Sequence, residues 1–314
     1  MRAVLSLGIA LMASCAGRAR PADLRDVRSW AIQLQRLERS ASLARLERSP
    51  YDMLVIDRVH TVRGLEQYDT TSVVKRLRST RICLAYFNVG QAENYRSYWG
   101  EDWKEPTAEA PGSPAFLLTI DPEGWAGDFP VAFWNPQWRA MLLEQIDDVV
   151  ARGFDGIYCD WVLGYEFPKV VAAARQAGVE PGRAMAELLR DLRKRGRRTN
   201  PRFQVVMQNG GALFREVPKL AQWVDGYVQE PVSFAGQAGV AWDDPGGADA
   251  AIPAEGDWST KTMLADLRFI RSKGVTTFTL DYCIDPGNAA LARERARSVR
   301  ALPFVTRAIL DRLP

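Results

Sequence analysis

The chain has 314 residues, 47% of them hydrophobic and 25% charged, with a formal net charge of +3. That composition excludes an intrinsically disordered chain, and so small a charge gives no argument for a nucleic-acid partner. The length fits two average domains or one α/β barrel.

Arg2, the apolar stretch Ala3–Ala13 and the small residues after it read as an export signal over residues 1–22. The stretch is too short to remain in a bilayer as a spanning helix. Cys15, after Met12-Ala13-Ser14, has the form of a bacterial lipobox, with ordinary cleavage near Ala16–Ala22 as the alternative. The expectation is an exported protein: periplasmic, extracellular, or held on a membrane surface by a lipid on Cys15. Residues 23–314 show no linker, repeat or composition break and read as one domain.

Short apolar runs alternate with helical segments along that domain. Trp30–Gln35, Asp52–Asp57, Ile82–Gly90 and Ala115–Asp121 are the first four predicted strands. Asp155–Asp160, Phe203–Asn209, Val224–Glu230 and Val275–Asp281 are the next four. Pro303–Thr306 is an extra strand, or the true eighth if Trp30–Gln35 is not one. Runs this continuously apolar suit parallel strands covered on both faces. Asn135–Arg152 is the clearest helix, with Asn135 placed to cap it and Pro136 at its first position. Gly153, Gly196 and Gly274 each read as helix ends just before a strand. Eight strands alternating with helices predict a (β/α)8 barrel. A doubly wound sheet is the alternative, but no G-x-G-x-x-G or Walker loop accompanies it. Two long loops, residues 91–114 and 231–257, follow strands and so belong to the face where a barrel builds its site.

Cys83, Cys159 and Cys283 lie in or just after apolar runs and read as buried free thiols. His60 is the only histidine, which leaves no His-based metal site and no nucleophile elbow to go with a triad. The basic run Arg193–Arg198 reads as a solvated helix end favoured by the helix dipole.

Polar residues close strand after strand: Asp57, Asp121, Asp160, Asn209, Glu230 and Asp281. Any one of them suits a cap, but six converging on the C-terminal mouth point to chemistry. Carboxylates without a histidine cluster or a cofactor loop fit glycoside hydrolysis, which needs one acid and one nucleophile or base. Trp99, Trp103, Trp125, Trp134, Trp161, Tyr86 and Tyr282 lie at or just beyond strand ends, where aromatic faces can meet sugar C–H surfaces or simply pack. Arg96 is expected to pair with Glu93 and hold its loop.

The order WAIQLQ, YDMLVID, YFNVGQAENYRSYW, GFDGIYCDWVLGYE, VDGYVQEP and TLDYC resembles the endo-α-1,4-polygalactosaminidase group, glycoside-hydrolase family 114, over about Trp30 to Thr306. The resemblance implies a barrel enzyme that cuts galactosamine-containing polysaccharide without a cofactor, with its carboxylate pair at Asp160 and Glu230. This sequence departs from the family pattern at Trp161, more often Asn, and at Gln91, where the family has Glu. The resulting expectation is a retaining mechanism with Asp160 as nucleophile and Glu230 as acid/base, the reverse roles staying open. Asp57, Asp121 and Asp281 would then bind hydroxyls or a free amino group, Asn209 and Tyr282 would hydrogen-bond the sugar, and Tyr86 and Trp161 would line the site. Two rivals are a non-catalytic carbohydrate-binding barrel and a metal-dependent hydrolase built on Asp57, Asp121 and Asp160.

Overall fold

The computed structural model describes residues 20–59 and 68–314. Cys15, His60 and all of the export signal before Arg20 lie outside the described residues. Strands β1 (Trp30–Gln33), β2 (Met53–Asp57), β3 (Ile82–Asn88), β4 (Gly156–Asp160), β5 (Gln204–Gln208), β6 (Gly226–Gln229), β7 (Thr276–Tyr282) and β8 (Leu302–Thr306) run parallel and side by side in that order. The seam between β1 and β8 is bridged by a side chain: the Trp30 indole N–H donates to the Leu302 carbonyl at 2.9 Å. The sheet is thus a nearly closed (β/α)8 barrel in a single domain.

Around it lie helices α1 (Ser40–Arg48), α2 (Thr70–Leu77), α3 (Pro136–Ala151), α4 (Pro168–Gln176), α5 (Pro181–Arg197), α6 (Leu213–Glu216), α7 (Thr260–Ser272) and α8 (Pro286–Ser298). Helix α3 starts as its sequence predicts, the Asn135 side chain accepting from the Gln137 and Trp138 amides ahead of Pro136. Gly153 and Gly274 follow α3 and α7 with φ of +88° and +86°, the left-handed conformation that ends a helix without a Cβ clash. Gly196 is a correction: it lies inside α5, where a Cβ would stand 2.4 Å from the Phe203 ring. It is small because a ring presses on it.

Strand assignment needs one larger correction. Ala115–Asp121 is not a barrel strand; it belongs to a long excursion between β3 and β4, where Leu117 bridges Val131 and the Leu118 N–H donates to the Pro130 carbonyl at 3.0 Å. That excursion also holds a hairpin of Gln91–Glu93 with Asp128–Pro130. Phe116 packs on Trp103 and Trp138, so its apolar run seals the excursion onto α3. A short apolar run carries no mark that separates such a seal from a buried strand. The eighth strand is β8, alongside Trp30–Gln33 rather than in its place, and Asp160 therefore ends the fourth strand.

Inside the barrel Trp30 meets Tyr158 at 6.4 Å, Phe278 at 5.5 Å and Phe304 at 5.7 Å between ring centres. These buried rings form a floor. Leu24 closes the end beneath them, and Gly226 makes room for it: a Cβ there would lie 3.0 Å from Leu24. Cys83, Cys159 and Cys283 are free and buried.

Candidate active site

Register decides which strand-end residues face the mouth. Asp57 pairs with Tyr86, Tyr86 with Tyr158, Tyr158 with Val206, and Val228 with both Gln208 and Phe278. Side chains alternate faces along a strand. Counting in twos from these pairs places Asp57, Tyr86, Asp160, Gln208, Glu230 and Tyr282 on one inner face, above the aromatic floor. All six line one cavity of about 620 Å³ at the C-terminal mouth. Asp160 and Glu230 sit on either side of β5, two strand spacings or about 10 Å apart at the backbone, with their side chains leaning inward.

Each of these carboxyls is held on both oxygens. Asp160 Oδ2 accepts from the Tyr86 hydroxyl, and its Oδ1 from the Trp161 amide at 2.6 Å. Glu230 Oε1 accepts from the Tyr282 hydroxyl. Its Oε2 accepts from Gln208 Nε2 at 2.6 Å and from the Tyr158 hydroxyl at 3.4 Å. Burial pushes Asp160 up to about 6; the Tyr86 and Trp161 donors oppose it, and Glu93 and Glu123 add to it. Burial pushes Glu230 up to about 7, with Tyr282 opposing and the Asp160 charge adding. Burial thus raises both carboxyls of the cavity, and the Asp160 charge raises Glu230 further.

Trp161 adopts left-handed backbone angles, φ 58° and ψ 28°, directly after β4. That turn drives its ring between two glycines: a Cβ on Gly164 would lie 2.4 Å from the ring, and one on Gly90 2.4 Å from the Trp161 carbonyl. The ring lines the cavity beside Tyr86. Trp125 lines it too, whereas Trp99 and Trp103 pack on each other at 5.0 Å and Trp134 on Phe133 at 5.1 Å.

The remaining predicted residues divide. Asp57 lines the cavity fully buried, its Oδ1 receiving Arg96 at 2.8 Å, while its Oδ2 has no partner among the described residues. Arg96 also bonds Glu93 at 2.8 Å, the expected pair. Asp121 instead accepts from Gln91 and from the amides of Glu123 and Trp125, which shapes the turn beneath Trp125. Asn209 faces Glu230: its Oδ1 accepts from the Glu230 amide at 2.9 Å and its Nδ2 donates to the Glu230 carbonyl at 2.7 Å. Asp281 points out of the barrel, one residue out of phase with Tyr282, and its Oδ1 receives the amides of Val232, Ser233 and Phe234. Asp121, Asn209 and Asp281 therefore position the site's loops rather than line its cavity. Asp57 and Asp160 line the cavity and Asp121 does not, and among the described residues no three such side chains are grouped to hold an ion.

Sequence reasoning missed Tyr158, Gln208, Tyr95, Glu123 and Asp128, all of which line the cavity. Gln208 stands one place before Asn209, so only the register of β5 on β6 puts it on the inner face; Tyr158, two places before Asp160, carried a readable signal. Glu123 and Asp128 did not, because the fold of the excursion brings them there. Burial and the nearby charges of Glu93, Asp121 and Asp160 push Asp128 up, so one wall of the cavity is crowded with carboxyls. Another part of the lining mixes apolar Leu34, Ile309 and Leu310 with Arg36, Arg39 and Asp311, Arg36 pairing with Asp311 at 3.0 Å.

The model of glycoside-hydrolase family GH114 matches residues 12–298. A protein of Deinococcus radiodurans is 32% identical over 296 residues, which is 92% of this chain and 83% of that protein. One from Thermotoga maritima is 26% identical over 294 residues, 90% and 81% of the two chains. Among solved structures, the glycoside hydrolase domain of PelA from Pseudomonas aeruginosa aligns with a TM-score of 0.62 at 21% identity, over 91% of this chain and 96% of that one. Ega3 of Aspergillus fumigatus, in complex with galactosamine, aligns with a TM-score of 0.62 at 15% identity, over 91% and 93%. At those identities the two structures speak for the fold.

Proposed function

The chain belongs to glycoside-hydrolase family GH114 and is a glycoside hydrolase, and we propose that it is an exported enzyme that cuts galactosamine-containing polysaccharide with Asp160 and Glu230, retaining the anomeric configuration. The observation that carries this reading is geometric: two buried carboxyls stand on either side of β5 in one cavity, each held on both oxygens by its own donors. Burial raises both carboxyls and the Asp160 charge raises Glu230 further, the direction an acid beside an ionised nucleophile needs.

Asp160 attacks the anomeric carbon as the bond to the leaving oxygen breaks, and that oxygen takes the Glu230 proton. Glu230, now ionised, removes a proton from water; the water oxygen displaces Asp160 from the sugar and restores both groups. Tyr86 and the Trp161 amide stabilise the Asp160 carboxylate, and Tyr282 and Gln208 stabilise the ionised Glu230. Sugar C–H faces fit the Trp161 and Trp125 rings in the lining. A free amino group on the sugar is cationic, and the carboxyl groups crowded into the cavity, Glu123 and Asp128 beside Asp160, offer it acceptors. Galactosamine is the ligand in the Ega3 complex, which supports the same substrate class here.

The test is hydrolysis of polygalactosamine, read by product size, with the anomer formed first read by proton NMR. Asp160→Asn and Glu230→Gln should each slow it by at least about 10²-fold with the fold intact. Full turnover by either variant, or an inverted first product, refutes the assignment.

A further inference from the structure

We propose that the end of the barrel opposite the active site is a docking face for an anionic phospholipid bilayer. Every helix of a (β/α)8 barrel points its C-terminus at that end, and a helix C-terminus favours cations. The barrel therefore gathers on one face what separate helices would scatter. Here α5 ends in Lys194, Arg195 and Arg197, and α7 in Arg271.

Two hollows result, and neither is lined by a carboxylate. One, of about 550 Å³, is walled by Arg25, Arg28, Arg271 and Arg300. The other, of about 350 Å³, is walled by Arg190, Arg193, Lys194, Arg197 and Arg198, with Trp223 among them. Some of these cations are neutralised within the fold. Arg25 pairs with Asp23, Arg190 with Asp191, and Arg193 and Arg197 share Asp225. Lys194, Arg198, Arg271 and Arg300 are exposed and form no ion pair among the described residues. They leave the face positive while the mouth at the far end is rich in carboxyls. The basic run Arg193–Arg198 is thus part of a wider surface rather than an isolated helix end.

The path of the chain selects the occupant. Arg20 is fastened to this same end, donating to the Arg81 carbonyl at 3.1 Å and to Asp155, both just ahead of β3 and β4. Five residues before it in sequence stands Cys15, and before that the apolar stretch Ala3–Ala13. Five residues span at most about 17 Å. A lipid on Cys15 holds this face against the headgroups and turns the mouth away from them, towards a soluble polymer. A phosphate-bearing surface complements the unpaired cations there.

The test is sedimentation of the full chain with vesicles of phosphatidylcholine, alone or mixed with phosphatidylglycerol, at low and at high salt. The expected result is at least about tenfold greater retention on the mixed vesicles at low salt, lost at high salt. Replacing Lys194, Arg198, Arg271 and Arg300 together by Glu should abolish that preference and leave binding to pure phosphatidylcholine and the hydrolytic rate unchanged. Equal retention of the parent on both vesicles overturns the proposal, as does an undiminished preference in the variant. Tighter capture of the parent by soluble dextran sulfate than by the mixed vesicles overturns the bilayer as the occupant.

Discussion

Glu230 should cost the fold stability at the pH where it works. Its proton affinity rises from the usual 4.5 to about 7 in the folded chain. The folded state therefore holds a proton that the unfolded chain releases, and stability falls as pH rises from 4.5 to about 7. Below 4.5 both states are protonated and there is no penalty; above about 7 both are ionised and the loss is complete. At about 1.4 kcal/mol per pH unit, the gap amounts to about 3 kcal/mol. Glu230→Gln removes the titration while keeping a carbonyl to accept from Tyr282. Its amide meets the Gln208 Nε2 donor, which must turn over, and that rearrangement takes back part of the gain. Urea unfolding should show the variant equal to the parent near pH 4.5 and about 1–3 kcal/mol more stable at pH 8. A variant less stable at pH 8, or stabilised equally at both pH values, refutes the reasoning. Stabilisation combined with lost hydrolysis would mark Glu230 as kept for chemistry rather than for the fold.

Tyr86→Phe removes the hydroxyl that favours ionised Asp160, so that group moves further above about 6 and the acidic limb of kcat/KM shifts up by about one pH unit; a limb that stays in place refutes the role given to Tyr86. Asp281→Ala frees three buried amides of residues 232–234 and should lower stability by about 2–4 kcal/mol in urea unfolding. A raised KM at unchanged stability would instead make Asp281 a substrate ligand. Gly164→Ala puts a Cβ 2.4 Å from the Trp161 ring and should cost about 1–3 kcal/mol together with a raised KM, seen in thermal melting and initial rates. Parental values in both would show that the ring does not need its glycine seat.

The barrel was legible because its strands are apolar on both faces, and the carboxyl pair because each member closes such a run. What misled was treating consecutive strand-end residues alike. Asp281 and Tyr282 were both read as facing substrate, yet the pleat sends neighbours to opposite sides, and only Tyr282 enters the cavity. The same arithmetic, applied forward, would have found Tyr158 two places before Asp160, whereas Gln208, one place before Asn209, is set on the inner face by the register of β5 on β6. Period alone cannot reach the excursion between β3 and β4. Its apolar Ala115–Asp121 looks like a strand because burial, not pairing, sets its composition, and the carboxyls of Glu123 and Asp128 reach the cavity only through turns that Asp121 and the Gln91–Glu93 hairpin fix. Specificity therefore rests on the part of the chain that periodicity describes least. Chemistry rests on the strands, where a one-residue shift would turn Asp160 and Glu230 away from the mouth together with everything that holds them.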